Sequence, residues 1–386
     1  MKKTDLQTIR QTIDRIDREL AVLFEERMAV VRAVAEYKKA NDLPLRDKVR
    51  EAQVLAKCQE LVQDAANASG LQRLMTEIIE ISCSEEAELM SEEVTVKAAE
   101  RQREPIPLVV AYQGVPGAYS HLAVQQYFVG RSIEEQHYTL FEDVVQAVKK
   151  GEAYYGVLPI ENSSTGGITE VYDLLRRYDC FIVGEKCVKV EHHLLANPGA
   201  KLPEISEVYS HPQGFAQCRP FFKEHPWLRQ VTHFNTAKAA ELVSQSKNLS
   251  LAAVAGKQAA VQYGLEIVAA NINANKNNYT RFIVISNQPK ECPAANKITL
   301  VAGLKHEPGS LYKLLGAVYN QGLNMLSIES RPVEERSWEY FFHIDISGNL
   351  GEAKVQAALA EVRANSTYCK LLGNYQRDQM ARSLKE

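Results

Sequence analysis

The 386-residue chain predicts a multi-domain protein built from three unlike segments. Residues 1–92 read as all-α, residues 107–287 as a two-lobed α/β unit, and residues 297–376 as an α+β, ferredoxin-like βαββαβ module. Three observations carry this division. The first 40 residues hold neither Gly nor Pro and space their apolar residues as a helix does. Strand-like and helix-like runs alternate through the middle. Two charged or Pro-bearing stretches, EVTVKAAERQREPI at 93–106 and QPKECPAAN at 288–296, read as linkers.

In the first segment Ile9, Ile13, Ile16, Leu20, Leu23, Arg27, Val30 and Val34 follow steps of four and three, a coiled-coil-like stripe. Asn41-Asp42-Leu43-Pro44 breaks this helix. A second helix carries Val54, Cys58, Leu61 and Ala65 and stops near Asn67–Gly70. A third runs from Leu71 to about Met90, with Leu74, Met75, Ile78, Ile81 and Ser82 inward. Three helices, the first very long, cannot bury these faces within one copy. A homodimer of interlocked helices, or a higher homo-oligomer, is expected.

In the middle segment Leu108–Tyr112, Gly156–Ile160, Phe181–Val183, Glu207–Tyr209, Leu251–Ala255 and Arg281–Ile285 are the expected strands. Helices between them would cover both faces of a sheet, and about 180 residues suffice for two lobes with a cleft between. In the last segment a strand opens at Lys297–Leu304, a helix follows at Leu311–Asn320, and a later strand spans Trp338–Ile346.

Composition excludes several classes. Forty-five basic residues against 48 acidic give a net charge of −3, so no global attraction to nucleic acid or an anionic membrane is expected. No run of 18 apolar residues exists for a spanning helix. MKKTDLQTIRQ has no apolar stretch after its lysines and reads as mature sequence rather than a signal peptide. Seven cysteines, an odd number without C-x-x-C, argue against a disulfide framework or a structural zinc and suit a reducing cytoplasm. Nine histidines show no metal spacing, and His192 and His193, adjacent in a strand-like run, should face opposite ways. No metal and no cofactor is expected.

Charge on the first stripe is the next clue. Arg27 takes a core position and Lys38 lies eleven residues on, about 16 Å along a helix. Such charges are costly unless paired. They pair with internal carboxylates, or snorkel to the surface, or form a buried site for a di-anion.

The run Leu6-Gln7-Thr8-Ile9-Arg10, Ile13, Ile16-Asp17, Glu26-Arg27, Tyr37-Lys38 and Pro44-Leu45-Arg46-Asp47-x-x-Arg50-Glu51 resembles the all-helical chorismate mutase family over the whole first segment. The resemblance implies that Arg27, Arg50 and a partner copy's Arg10 hold the carboxylates of chorismate. It implies that Lys38 faces the ether oxygen, that Asp47 and Glu51 meet the ring hydroxyl region, and that Ser82 and Glu86 complete the site. Rearrangement to prephenate needs a held conformer and charge balance at the breaking C–O bond. Many relatives carry Gln where this chain has Glu86. A carboxylate there would repel the ether oxygen, so Glu86 is expected to act protonated.

Four loops mark the middle segment: Gly114–Ser120, Pro159–Gly167, Ser210–Gly214 and Asn277–Phe282. Each alone is ordinary turn and capping chemistry. None is G-x-G-x-x-G or a phosphate-binding loop. Together, rich in Ser, Thr, Asn and Gln, they suit a cleft for a small polar molecule. The P-I-E-N-S and N-Y-T-R-F stretches resemble prephenate dehydratase, over Val110 to about Ser286. That resemblance implies that Thr280 donates a proton to the departing hydroxyl of prephenate. It implies that Glu161, Asn162, Ser163, Ser210, Gln213, Gln217 and Thr236 line the cleft and that Arg281 holds a carboxylate. The alternative is a mutase joined to a non-catalytic amino-acid-sensing α/β domain, against which Thr280 and the charged helical segment argue.

In the last segment, Glu307-Pro308-Gly309-Ser310-Leu311 opens a helix, and Glu329-Ser330-Arg331-Pro332 follows Asn324–Ile328. By itself this reads as a dimerisation module. It resembles an ACT regulatory domain of the phenylalanine-sensing kind, with P-G-S-L in place of the G-A-L-V of many relatives. The resemblance implies an L-phenylalanine site made by Gly309, Ser310, Leu311, Asn324, Ser327, Glu329, Ser330 and Arg331, and feedback inhibition through it.

Overall fold

The computed structural model describes residues 6–41, 67–90, 107–333 and 336–378, with isolated pieces between 47 and 64. Helix α1, Leu6–Ala40, runs 35 residues, and α2, Ala68–Met90, runs 23. They pack together, with Met28, Val31 and Ala35 of α1 and Ile79, Ser82 and Cys83 of α2 buried. Of the stripe predicted for α1, Arg27 meets α2 and the apolar residues do not. Ile13 is 50% exposed, Leu23 60% and Val30 64%, so most of the stripe is uncovered within one chain. Of the predicted middle helix, residues 53–57 are helical, and much of its stripe lies outside the described residues.

The α/β segment contains two sheets. The first uses β1 (Leu108–Gln113), β2 (Ile133–Tyr138), β3 (Tyr155–Asn162), β4 (Gly166–Gly167) and β5 (Phe181–Lys189), and is completed by β11 (Tyr279–Ser286). Its order is β2-β1-β3-β11-β5, with β4 paired to β3. Helices α3 (Tyr119–Tyr127), α4 (Phe141–Lys150) and α5 (Thr169–Arg177) cover it. Helix α4 shows why such a segment is helical. Val144, Val145, Ala147 and Val148 form its buried face, Glu142 and Asp143 suit its first turn, and Lys149 and Lys150 suit its last. Gly151 ends it at φ +77°, a conformation that favours glycine.

The second sheet is inserted between β5 and β11. It comprises β6 (His193–Ala196), β7 (Glu207–Ser210), β8 (Arg229–Thr232), β9 (Leu251–Ala255) and β10 (Glu266–Ala269), in the order β10-β6-β9-β7-β8. Helices α6 (Pro212–Gln217), α7 (Arg219–Glu224), α8 (Thr236–Ser246) and α9 (Lys257–Tyr263) accompany it. Asn235 caps α8, its Oδ1 accepting from Ala237 N–H at 2.7 Å. The chain leaves the first lobe after Lys189 and re-enters at Tyr279, and those two residues are paired neighbours.

After the link at 288–296 come β12 (Lys297–Gly303), α10 (Ser310–Tyr319), β13 (Met325–Val333), β14 (Arg336–Ser347), α11 (Ala353–Asn365) and β15 (Tyr368–Tyr375). They form an antiparallel sheet, β13-β14-β12-β15. This unit shares a core with the first lobe, since Val301, Leu372 and Tyr375 cluster with Leu158, Leu175 and Ile283. The seam is tight, because a side chain at Gly373 would overlap the Ile182 carbonyl oxygen. Lys370 Nζ donates to the last carbonyls of α5, Leu175 O at 3.2 Å and Tyr178 O at 2.7 Å. Helix α2 also touches α11.

One buried group makes the seam sensitive to acid. His343 on β14 is 3% exposed, lies edge-on to Tyr172 of α5 with ring centres 4.8 Å apart, and has no hydrogen-bond partner on either nitrogen. Burial pushes its pKa down to about 4. A depressed folded pKa favours the neutral ring, so this stabilisation is full above about pH 6.5 and is lost as pH falls to and through 4, a loss on the order of 3 kcal/mol. Urea midpoints measured at pH 7.5 and 4.5 should therefore differ more for the native chain than for His343→Leu. Equal differences would show that His343 does not set the acid limit.

Candidate active site

The site is built where β3 meets β11. Their register slips by one, with Phe282 opposite Pro159 and Arg281 opposite Glu161, which leaves Ile160 as a bulge. A proline is tolerated in this central strand at such an irregularity. The bulge lets Pro159 and Asn162, three residues apart, face the same way as Thr280 and Phe282, two apart. All four line a cleft of about 330 Å³ between the lobes. The other walls come from the carboxyl end of β1 (Gln113), the start of α3 (Tyr119, Ser120), the β5–β6 crossing (Val190, His192) and the turn after β7 (His211, Gln213, Gln217). Phe234–Thr236 at the head of α8 complete them. Ligand sites in open α/β sheets sit at strand carboxyl ends.

Asn162 and Thr280 form the centre, 7% and 9% exposed. Asn162 Nδ2 donates to Thr280 Oγ1 at 2.9 Å, to Asn278 Oδ1 at 2.9 Å and to Tyr279 O at 3.2 Å. Its Oδ1 accepts from the N–H groups of Ser164 (3.0 Å) and Thr165 (3.2 Å). Since Asn162 occupies an acceptor position of Thr280, the threonine's own proton is left to point elsewhere, and the cleft is the open direction. Gln213 Nε2 reaches across from the second lobe to Thr165 Oγ1 at 3.1 Å.

Four predicted cleft residues lie elsewhere. Glu161 and Arg281 are strand neighbours of Asn162 and Thr280 and therefore face the opposite side. There Arg281 joins Glu161 (2.9 Å), Glu185 (3.4 Å) and Asp345 (2.8 Å), while Lys297 joins Glu185 (2.8 Å) and Asp345 (2.9 Å). Arg281 thus ties β11 to the C-terminal sheet and is not free to hold a substrate carboxylate. Burial alone would raise the Asp345 pKa, but the Lys297 ammonium and Arg281 guanidinium hold it well below the usual carboxylate range. Ser210 is fully buried and donates to Val254 O at 2.9 Å. Ser163 Oγ accepts from Tyr279 N–H at 2.9 Å and donates to Asn277 O at 3.2 Å. Both build the walls without facing the cavity.

Asn162, Gln213, Gln217, Thr236 and Thr280 are brought together as expected from their loops. The lining also includes Gln113, Tyr119, Ser120, Thr165, His192, His211, Phe234 and Asn235, which sequence reasoning did not place in the site. Ser120, Thr165 and His211 sat in the very loops singled out above. His192 and His193 do go to separate partners, the first to Gln217 and the second to Asn271 N–H at 3.0 Å. Among the described residues no His, Cys, Asp or Glu group is gathered as for a metal, and no helix is long and apolar enough to cross a membrane.

In the helical segment Arg27 of α1 donates to Ser82 Oγ on α2, and Ser82 in turn donates to Ile78 O at 2.6 Å. Lys38 is half-buried and Arg10 exposed. Asp47 Oδ1 accepts from Arg50 N–H at 2.9 Å. Glu51 and the Glu86 side chain lie outside the described residues.

In the C-terminal sheet two residues expected at an effector site turn toward the α/β segment instead. Arg331 grips Asp173 of α5 with two hydrogen bonds, at 2.8 and 3.2 Å. Glu329 lies over Gly167, where an added β-carbon would meet its carboxyl carbon at 3.4 Å. Both point this way because β13 alternates, which sets Glu329 and Arg331 on one face and Ser330 on the other. Gly309, Leu311, Asn324 and Ser330 are exposed, and Ser310 and Ser327 half-buried.

A two-lobed α/β fold with a shielded hydroxyl in its cleft, carried behind a helical pair, suits a protein that takes up small polar molecules. Residues 110–290 match the prephenate dehydratase family, and residues 9–87 match chorismate mutase type II. A bifunctional chorismate mutase/prephenate dehydratase of Escherichia coli (strain K12) is 34% identical over 380 residues, covering 96% of each chain. A prephenate dehydratase of Arthrobacter aurescens, solved in complex with L-Phe, is 30% identical with a TM-score of 0.65 over 70% of this chain and 90% of that one. A solved protein described as a novel type of quorum quenching acylase is 34% identical with a TM-score of 0.64, over 70% and 99%. The chain belongs to the bifunctional chorismate mutase/prephenate dehydratase family. It rearranges chorismate to prephenate and converts prephenate to phenylpyruvate, carbon dioxide and water, steps of phenylalanine biosynthesis.

Proposed function

We propose that the dehydratase reaction runs in the cleft between the lobes, with Thr280 as proton donor. The observation that carries this is the Asn162 Nδ2 to Thr280 Oγ1 hydrogen bond, which leaves the hydroxyl proton for the substrate. The ring carboxylate leaves as carbon dioxide and its electron pair enters the ring. The C–OH bond breaks, the hydroxyl takes the Thr280 proton and departs as water, and the ring becomes aromatic. Thr280 then regains a proton from solvent, and Asn162 stabilises the oxygen in the interval. Gln213, Gln217 and Thr236 hold the substrate with neutral donors, since no lysine or arginine lines the described cleft.

The mutase site lies in the helical domain of residues 1–92. Arg27, Lys38, Asp47, Arg50, Glu51, Ser82 and Glu86 belong to one copy and Arg10 to another. The uncovered stripe of α1 supports at least a homodimer, because water-exposed Ile and Leu at this density call for a partner. Mutase activity is expected to fall as pH rises through the Glu86 pKa, since the protonated carboxyl is the donor. In Glu86→Gln that dependence should flatten, and an unchanged pH–rate profile would remove Glu86 from the step.

Residues 107–287 form the dehydratase domain, and 297–376 an ACT-type regulatory domain reached through the 288–296 link; residues 93–106 join the first two. L-Phenylalanine binds at the exposed turn Gly309–Leu311 with Asn324, Ser327 and Ser330 nearby, and inhibits. The Arthrobacter aurescens complex supports this effector. The enzyme works in the cytoplasm without a cofactor. The test is chorismate consumption by purified protein, following prephenate and phenylpyruvate with and without phenylalanine. Phenylpyruvate that falls when phenylalanine is added supports both activities and the effector. Prephenate that accumulates without phenylpyruvate would leave only the mutase assignment standing.

A further inference from the structure

Gln217 enters the cleft from the end of α6, and a carboxamide there can turn either its C=O or its NH2 inward. Its neighbour bears on the choice. His192 Nε2 lies 2.7 Å from Gln217 Oε1. The other ring nitrogen, Nδ1, is 3.5 Å from Tyr119 Oη, and that hydroxyl donates its own proton to Glu191 O at 2.6 Å. Burial lowers the His192 pKa, so the ring is neutral and carries one N–H. With that hydrogen on Nε2, the 2.7 Å contact is a hydrogen bond donated to the Gln217 carbonyl, shorter than the 3.5 Å contact at Nδ1.

The main chain fixes both residues. Ile272 N–H donates to His192 O at 2.8 Å, Asn273 Oδ1 accepts from His192 N–H at 3.1 Å, and Ala274 N–H donates to Gln217 O at 2.8 Å. Three consecutive residues thus hold the backbones of both partners. His192 and Asn273 are each 3% exposed, so water does not compete for these bonds.

We propose that His192 is a positioning residue of the dehydratase, whose Nε2–H holds the Gln217 carbonyl and so directs the Gln217 NH2 at an oxygen of prephenate. This rests on the reading of the cleft as the dehydratase site with Gln217 as a substrate contact. A histidine that merely fills the core would share the burial but not the dependence on Gln217.

The test uses the full chain, with mutase activity as the control for folding, in His192→Leu, His192→Gln, Gln217→Ala and the double variant His192→Leu/Gln217→Ala. A glutamine at 192 can present an NH2 near the place of Nε2. His192→Leu should lower dehydratase kcat about tenfold with the mutase rate unchanged. His192→Gln should recover most of that loss, and the double variant should be no slower than Gln217→Ala alone. Additive losses in the double variant, or equal losses in the Leu and Gln variants, would overturn the positioning role and leave the cleft assignment in place. A Gln217→Ala enzyme with undiminished dehydratase kcat would overturn the substrate contact and this proposal with it.

Discussion

Thr280→Ala should lower dehydratase kcat by about 10²–10³-fold, with KM changed little and the mutase rate unchanged. A threonine is a weak acid in water, so its value here is positional. Asn162 fixes the oxygen from behind at 2.9 Å and the backbone pairing of β11 with β3 fixes the Cα. Alanine removes the donor without removing anything that binds the rest of the substrate. The loss therefore belongs to the transition state, where the hydroxyl leaves, and not to ground-state affinity. Steady-state kinetics on prephenate decide this. A variant with native kcat would show that the departing hydroxyl takes its proton from another group.

Arg281→Met should cost about 3–5 kcal/mol of stability, the range for breaking a buried ion pair from one side. In the native chain two cations face three carboxylates, and the Glu185 and Asp345 side chains are 0% and 8% exposed. Without Arg281, Lys297 alone must compensate them. Urea unfolding should show a lowered midpoint, and adding Asp345→Asn should restore part of it by removing one uncompensated charge. A midpoint within experimental error of the native chain would mean that the cluster does not bind the C-terminal sheet to β11.

The motifs bring Asn162 and Thr280 together in the cleft, while Glu161 and Arg281 turn to the other face of the sheet, for a definite reason. P-I-E-N-S and N-Y-T-R-F carry Asn162 and Thr280, and these two meet. Arg281 was placed in the cleft with Thr280 although the two are adjacent on a strand, and the alternation that separates His192 from His193 separates them as well. The Ile160 bulge is what no periodicity reveals, because it depends on a partner strand 120 residues away. Among the elements, the interior strands β3, β9 and β11 were legible from their apolar runs. β2 (IEEQHY), β8 (RQVT) and β10 (EIVA) were not, because each is an edge strand with solvent on one side and little apolar burial. The apolar residues of the α1 stripe stay uncovered within one chain, because α2 packs on the face of Met28, Val31 and Ala35.

The insertion of the second lobe between β5 and β11 has a consequence for biosynthesis. Strand β11 lies between β3 and β5, so the first sheet lacks its central member until residue 286 has left the ribosome. The inserted sheet, β6 to β10, is complete sooner and depends on no later strand. A nascent chain that has emerged from the ribosome only as far as about residue 275 should thus hold a closed second lobe beside a first lobe split open along β3 and β5. Those two unpaired edges, with their apolar runs, are where the growing chain is most exposed to mispairing and where a chaperone has the most to shield.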